Sequence, residues 1–188
     1  MKKSRIYEMV LIAVMTAVTC VLAPISLVIP VSPVPISLAM LAIFVSVYVL
    51  DMKRATVSYA LYLLLGLVGV PVFSGFSSGP AKLFGPTGGY LIGFVFLVII
   101  CGYFIDRWTS KIYMCVLGMV LGTIVCYAFG TAWLAYVAHM DFGAALMAGV
   151  IPFLPGDAAK IIIAILVGPQ LRKALNKAHL REVSAAAE

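Results

Sequence analysis

Charged residues are scarce in this sequence. Only 11% of its 188 residues are charged, whereas 64% are hydrophobic. Soluble domains average about 25% charged and about 45–50% apolar residues. Folding this chain in water would leave far too much apolar surface exposed, which excludes an ordinary soluble domain. The composition predicts an integral membrane protein in a lipid bilayer, and the length suits a single membrane domain.

Motifs that carry enzymatic chemistry are also missing. The sequence contains no GxxxxGK[ST] phosphate loop, no HExxH and no GxSxG. His139 and Asp141 form an H-x-D pair, but two side chains are too few for a metal site, so we interpret them as loop residues. We therefore expect a protein that is not an enzyme, has no ATPase of its own, and needs neither a metal nor a cofactor.

Acidic residues are outnumbered by basic ones, 7 against 13, which gives a net charge of +6. The basic residues lie at the ends of apolar segments rather than in one patch, so nucleic acid is not the predicted partner. With the N-terminus inside, 11 of the 13 fall on the cytoplasmic side, Lys82 and Lys160 being the exceptions. This pattern predicts a multi-pass protein of the plasma membrane with both termini in the cytoplasm.

Prolines, glycines and short charged stretches divide the chain into apolar segments. Six of them predict transmembrane helices, at residues 6–23, 36–50, 55–70, 90–105, 112–137 and 156–171. Prolines are dense between residues 24 and 35, which predicts an ordered loop or a re-entrant segment. The predicted fold is an all-α, six-transmembrane-helix bundle with outer capping loops.

The connections between these segments are of three kinds. Residues 51–54 and 106–111 are predicted to be short charged turns on the inner side. Residues 72–89 are rich in glycine and proline yet apolar, which predicts a cap over the outer face. Residues 139–155 are predicted to form a second irregular outer link. A basic amphipathic tail with Arg172, Lys173, Lys177 and Arg181 is predicted to follow the last helix.

Asp157 and Lys160 are the residues best suited to bind a polar ligand. They stand three positions apart at the start of the sixth predicted helix, so they share one helix face. Charged side chains at the edge of an apolar layer face the bundle interior or a wet cavity. A structural ion pair is the alternative, but the glycine-rich cap and Lys82 lie on the same side. We therefore favour a small-molecule site there.

The first predicted helix carries a stripe of small residues. Ala13, Thr16, Ala17 and Cys20 recur at spacings of three and four, which allows another helix to approach closely. The partner helix could belong to the same bundle or to another protein, and the stripe alone does not distinguish the two.

Three stretches together identify a known family. They are GVPVFSG at residues 69–75, LFGPTGGYLIGF at residues 83–94 and PGDAAK at residues 155–160. The chain closely resembles the BioY family, the biotin-capturing S component of energy-coupling-factor (ECF) transporters. The resemblance covers essentially the whole chain, and GPTGGYLIGF is its most specific part.

The resemblance implies a function. A BioY protein of a bacterial plasma membrane binds biotin with high affinity at its outer side. It docks onto a module of one ECF transmembrane coupling protein and two ABC ATPases, which alone use ATP. Ala13 and Ala17 match the family's AxxxA docking motif. The resemblance and the chemistry of biotin lead us to expect ligand contacts from Asp157, Lys160, Phe73, Ser77, Lys82, Leu83, Gly85, Thr87, Gly88 and Tyr90.

Two alternatives stay open. One keeps the fold and changes the vitamin to thiamine or riboflavin, although the GPTGGY stretch argues against it. The other is a stand-alone channel or secondary carrier, but the two halves show no inverted repeat. Within the biotin hypothesis, Asp157 can accept ureido N–H bonds, whereas Lys160 can donate to either the ureido or the carboxylate oxygen.

Overall fold

A computed structural model describes residues 2–27, 30 and 32–177, and most of them are helical. Within these residues the α-helices are α1 (Lys2–Leu22), α2 (Ala39–Val49), α3 (Met52–Val68), α4 (Pro80–Phe84), α5 (Gly88–Trp108), α6 (Ile112–Ala138), α7 (Phe142–Gly149) and α8 (Leu154–Lys177). A single 3-10 turn, Ile151–Phe153, joins α7 to α8. The helices α1, α2, α3, α5, α6 and α8 overlap the six predicted segments, although most of their ends differ from the predicted ones.

The proline-rich segment after α1 contains the two β-strands found among the described residues. Strands β1 (Ser26–Leu27) and β2 (Ile36–Ser37) pair antiparallel. The Ser37 hydroxyl donates to the Ala23 carbonyl at 2.7 Å and accepts from the Ala39 amide at 3.0 Å. The fold is therefore not purely α-helical, and the second helix begins at Ala39 rather than at residue 36, because these hydrogen bonds place Ser37 before the helix.

The predicted charged turn at residues 51–54 is largely helical. Asp51 is the N-cap of α3, and its carboxylate accepts from the Arg54 amide at 2.9 Å. The Asp106 carboxylate, which comes from α5, accepts from the Met52 amide at 2.7 Å. These two carboxylates satisfy amides that have no partner within the helix, so α3 begins earlier than its apolar sequence indicates.

Both links that the sequence assigns to the outer side contain helix that it did not predict. The link at residues 72–89 contains α4, and its last two glycines already belong to α5. The link at residues 139–155 contains α7, the 3-10 turn and the start of α8. His139 ends α6 in a left-handed conformation (φ 51°), and Asp141 caps α7 by accepting from the Gly143 amide at 2.9 Å. The H-x-D pair therefore has a capping role.

The last helix is longer than predicted. It runs on to Lys177 and includes Arg172 and Lys173, which the sequence assigned to a tail. The Arg172 guanidinium donates to the Asp106 carboxylate at 3.1 Å, which ties the end of α8 to α5. The predicted tail residue Arg181 lies outside the described residues.

The close contact between α5 and α6 is the largest interface between two helices. Glycines on both helices make it possible. A Cβ atom on Gly93 would lie 3.0 Å from the Cα of Cys126, and one on Gly122 would lie 3.2 Å from the Cα of Leu97. A Cβ on Gly118 would overlap Phe104. The backbones of the two helices therefore approach each other as in small-xxx-small contacts of membrane proteins.

Helix length and composition identify some of the helices that could cross a membrane. Within the part of the chain that the structure describes, three helical stretches are long and apolar enough to span a bilayer: Gly88–Trp108, Ile112–Ala138 and Phe142–Lys177. Two further apolar helices are shorter, Ile6–Leu22 and Ala39–Val49. These observations agree with a multi-pass protein and leave the count of six spans as a prediction.

The small-residue stripe on α1 is divided between two faces. Thr16 is buried, and its hydroxyl is 3.0 Å from that of Ser58 on α3. Ala13 and Ala17 are exposed, so none of the helices that the structure describes covers them. Thr16 therefore serves packing within the bundle, while Ala13 and Ala17 are available to a partner.

Replacing Gly118 with leucine should destabilise the bundle, because the side chain would overlap Phe104 in the α5–α6 contact. Overpacking of this kind costs about 1–3 kcal/mol. Thermal unfolding in detergent measures the effect. The control is Ala132→Leu at an exposed position of the same helix. Equal melting temperatures for the two variants would contradict the role given to the glycine contact.

Candidate ligand-binding site

A cavity of about 620 Å³, partly open to solvent, lies between α2, α3, α5, α6, α8 and the segment around β2. The lining is mostly apolar and aromatic, with a few polar groups. It consists of Val34, Pro35, Ser37, Ala39, Met40, Tyr62, Ser74, Thr87, Tyr90, Leu91, Phe94, Cys126, Tyr127, Phe153, Asp157 and Lys160.

The chain between α6 and α8 explains why the cavity is deep. Tyr127 lies eleven residues before the end of α6, which corresponds to about 16 Å along the helix axis. Asp157, in the first turn of α8, nevertheless contacts Tyr127. The segment α7 and the 3-10 turn lie between these two helices in sequence. We infer that they return the chain into the bundle, so that α8 begins near the level of Tyr127 rather than at the end of α6.

The polar end of the cavity is built on Asp157 and Lys160. The Lys160 ammonium donates to Oδ1 of Asp157 at 2.8 Å, and the Tyr127 hydroxyl donates to Oδ2. Asp157 is 6% exposed and Lys160 is 7% exposed, so both charges have left bulk solvent. Charges buried to this degree need a partner, and here each satisfies the other. The arrangement offers a ligand one carboxylate acceptor beside an ammonium donor.

Tyr90 links the cavity wall to α7. Its hydroxyl donates to the Gly149 carbonyl at 2.8 Å, and its ring packs against Gly130 on α6. Thr87, just before α5, also lines the cavity, and its hydroxyl contacts the Lys82 carbonyl at 3.3 Å. The start of α5 therefore contributes both ligand-facing groups and contacts that hold the neighbouring segments.

The structure brings four of the ten predicted ligand-contact residues into the lining: Asp157, Lys160, Thr87 and Tyr90. The other six support the cavity from outside it. Phe73 is fully buried and contacts Tyr62 edge-on, with ring centroids 5.6 Å apart. Ser77 closes a tight turn by donating from its hydroxyl to the Ser74 carbonyl at 2.8 Å.

The remaining four lie in α4, in its connection to α5 and at the first position of α5. The Gly85 carbonyl accepts from the Trp133 indole at 2.9 Å, and Gly88 packs so tightly against Leu83 that any side chain would overlap the Leu83 carbonyl. Lys82 is half-buried, and burial lowers the pKa of its ammonium. Ligand contacts from all ten residues, including the four in the lining, stay predictions.

Sequence reasoning missed several lining residues, of which Tyr127 has the clearest chemistry. A hydroxyl in the middle of an apolar helix needs a hydrogen-bond partner, and that was the available signal. Phe94 and Phe153 gave no such signal, since an aromatic ring in an apolar segment fits lipid, core and ligand equally well. Only the fold decides among them.

Removing Lys160 alone should harm stability more than removing both charges. Lys160→Met leaves the Asp157 carboxylate buried without its ammonium, which typically costs about 3–5 kcal/mol. The double variant Asp157→Asn, Lys160→Met removes both charges and should recover a large part of the lost thermal stability. Melting temperatures in detergent test this. A double variant that is no more stable than Lys160→Met would contradict the pairing.

Apolar membrane-crossing helices around a deep cavity with a charged end define a class, the integral membrane proteins that bind a small molecule within the bundle. Comparison with known proteins identifies the family within this class. The model of the BioY family matches residues 1–177. This chain therefore belongs to the BioY family, as its sequence motifs predicted, and the family is one of transporters rather than enzymes.

Named relatives extend along most of the chain. The biotin transporter BioY2 of Lactococcus lactis is 34% identical over 176 residues, which is 94% of this chain and 96% of that protein. The biotin transporter BioY of Thermotoga maritima is 38% identical over 145 residues, covering 77% and 85% of the two chains.

A solved structure has the same fold. It is the crystal structure at 2.1 Å of the S-component for biotin from an ECF-type ABC transporter. It superposes with a TM-score of 0.86 at 28% sequence identity, and the match covers 92% of this chain and 94% of that one.

Proposed function

We propose that this chain is the biotin-capturing S component of an ECF-type vitamin importer. The observation that carries the proposal is the cavity, apolar along its wall and charged at its deep end, in a chain whose relatives are biotin transporters. The chain would bind biotin from the outer side and deliver it with an ATP-driven partner module. In this proposal the protein has no ATPase and no cofactor.

The chemistry of biotin suits the polar end of the cavity. The ureido group of biotin has two N–H donors and one carbonyl acceptor, and a valeryl chain carries its carboxylate. Asp157 can accept an N–H while Lys160 donates to the carbonyl, so the ureido group matches both residues. A carboxylate would match Lys160 alone and would be repelled by Asp157. We therefore place the ureido group at the Asp157–Lys160 pair.

The walls suit the rest of the ligand. Tyr90, Tyr62 and Phe94 line the cavity with aromatic surface against which the thioether ring and the valeryl chain can pack. Burial of apolar surface contributes about 25 cal/mol per Å², so these contacts contribute to the affinity for biotin. The charged pair determines which ligands are accepted. A ligand that lacks a matching polar group leaves buried groups unpaired, which strongly disfavours it.

The membrane topology belongs to the same proposal. The helices α1, α2, α3, α5, α6 and α8 cross the bilayer, and both termini lie in the cytoplasm. Support comes from the basic residues at one end of these helices and from ion pairs there between Arg54 and Glu8 and between Arg172 and Asp106.

Delivery requires partners. We assign the exposed Ala13–Ala17 face of α1 to docking with the transmembrane coupling protein, which acts with two ABC ATPases. Support comes from the small side chains and from the absence of any described helix over this face. Small residues allow the close helix approach that packing in a membrane requires.

Purified protein, stripped of ligand, should bind biotin at one molecule per chain, as measured by calorimetry in detergent. Asp157→Asn and Lys160→Ala should each weaken binding by at least about 30-fold, because each leaves a buried charged partner unpaired. The control is Lys53→Gln at an exposed, distant position. Unchanged affinity in both variants would disprove the site, and binding of thiamine or riboflavin in place of biotin would disprove the substrate.

Ala17→Leu should weaken assembly with the coupling protein by at least about 10-fold and leave biotin affinity unchanged, because the larger side chain prevents close helix approach. Copurification with the partner module measures assembly. The matched control is Val21→Leu, one turn further along α1 at a position that is 67% exposed. Normal assembly of Ala17→Leu, or proteoliposome transport without partners, would contradict the docking proposal.

A further inference from the structure

We propose that Tyr127 determines ligand specificity by positioning Asp157, so that the cavity selects a neutral N–H donor over a cationic head group. The inference rests on the proposed function, because the ligand is taken to approach the Asp157–Lys160 pair. It concerns a residue of α6 that lies within the apolar GTIVCYAFG stretch and belongs to none of the recognised motifs.

The contact joins two helices. Asp157 and Lys160 both belong to α8, whereas the Tyr127 hydroxyl reaches Oδ2 of Asp157 from α6. The interface between α6 and α8 is small compared with that between α2 and α8, so this hydrogen bond is a specific link rather than part of a broad packing surface. All three residues line the same cavity.

Both oxygens of the Asp157 carboxylate are held by donors. Lys160 donates to Oδ1 at 2.8 Å and Tyr127 donates to Oδ2. A carboxylate oxygen accepts two hydrogen bonds, so each oxygen keeps one free acceptor position. Because donors from two different helices fix the carboxylate plane, these positions have fixed directions. Pre-orientation of this kind favours a ligand whose N–H matches one of them.

The tyrosine also limits the negative charge that a ligand experiences. With both donors in place, Asp157 presents a largely compensated carboxylate, which suits a neutral urea. Without the Tyr127 hydroxyl, Oδ2 is an uncompensated acceptor in a site shielded from water, where its attraction for a cation is strong. Loss of the hydroxyl should therefore weaken urea binding and favour a charged guanidinium in its place.

The test compares biotin with 2-iminobiotin, in which a guanidinium that is cationic at neutral pH replaces the urea. Dissociation constants are measured by calorimetry or by competition on the purified full chain. The variants are Tyr127→Phe and the matched control Tyr136→Phe, which removes a hydroxyl from a 75% exposed position of the same helix.

Tyr127→Phe should raise the dissociation constant of biotin by at least about 10-fold, because the carboxylate that accepts the ureido N–H is no longer held in one orientation. The ratio of the dissociation constant of 2-iminobiotin to that of biotin should fall by at least about 10-fold in Tyr127→Phe. In Tyr136→Phe both dissociation constants should equal those of the unmodified protein. General loosening of the cavity would instead weaken both ligands alike.

A double-mutant cycle that combines Tyr127→Phe with Asp157→Asn is the second test, and it measures biotin affinity. If Tyr127 acts through the carboxylate, Tyr127→Phe should change biotin affinity by less than about twofold in the Asp157→Asn background. An equal effect in both backgrounds, or an unchanged ligand preference in Tyr127→Phe, would overturn the inference. Should Asp157→Asn bind too weakly to measure, the ligand preference decides alone. Failure of the unmodified protein to bind biotin would instead disprove the proposed function.

Discussion

The buried contact between the Asp157 carboxylate and the Lys160 ammonium is the interaction on which the interior of this bundle depends. Moving an isolated charge out of water is so costly that neither residue would be tolerated alone. Together they are neutral, and the position of Asp157 in the first turn of α8 adds favourable interaction with the helix dipole. The rest of the cavity can therefore be apolar without losing its one polar anchor.

Close packing keeps that anchor in place. Glycines bring α5 and α6 into contact, so the wall that carries Tyr90 and Tyr127 is backed by tightly packed backbone. Tyr90 then holds the end of α7 through the Gly149 carbonyl, and α7 leads directly to the turn before α8. The positions of Tyr127 and Asp157 thus have a common origin in the packing of α5 against α6.

How far the sequence predicts this arrangement differs from one feature to the next. Hydropathy and charge located the long helices, since lipid selects apolar segments of a definite length. The same patterns singled out Asp157 and Lys160, because charged side chains in an apolar segment are costly unless they are paired or bind a ligand. Capping moved helix ends beyond the apolar segments, as Asp51 and Asp106 do for α3. The helices α4 and α7 escaped prediction because glycine and proline suggest irregular chain even where tertiary contacts impose a helix.

Residues such as Tyr127 mark the limit of sequence reasoning. A side chain at the middle of an apolar helix acquires its role from a contact with another helix, and no local pattern encodes which one. The motifs of the family drew attention to the start of α5 and the start of α8, whereas the lining of the cavity also draws on α2, α3 and α6.

The glycine contact between α5 and α6 bears on how the protein enters the membrane. These helices are consecutive, only residues 109–111 separate them, and they share the most extensive helix interface. Closing so short a connection carries little entropic penalty. We expect the two to associate as a helical hairpin soon after both leave the ribosome, and to serve as the template on which α8, synthesised after them, brings the ion pair into the bundle.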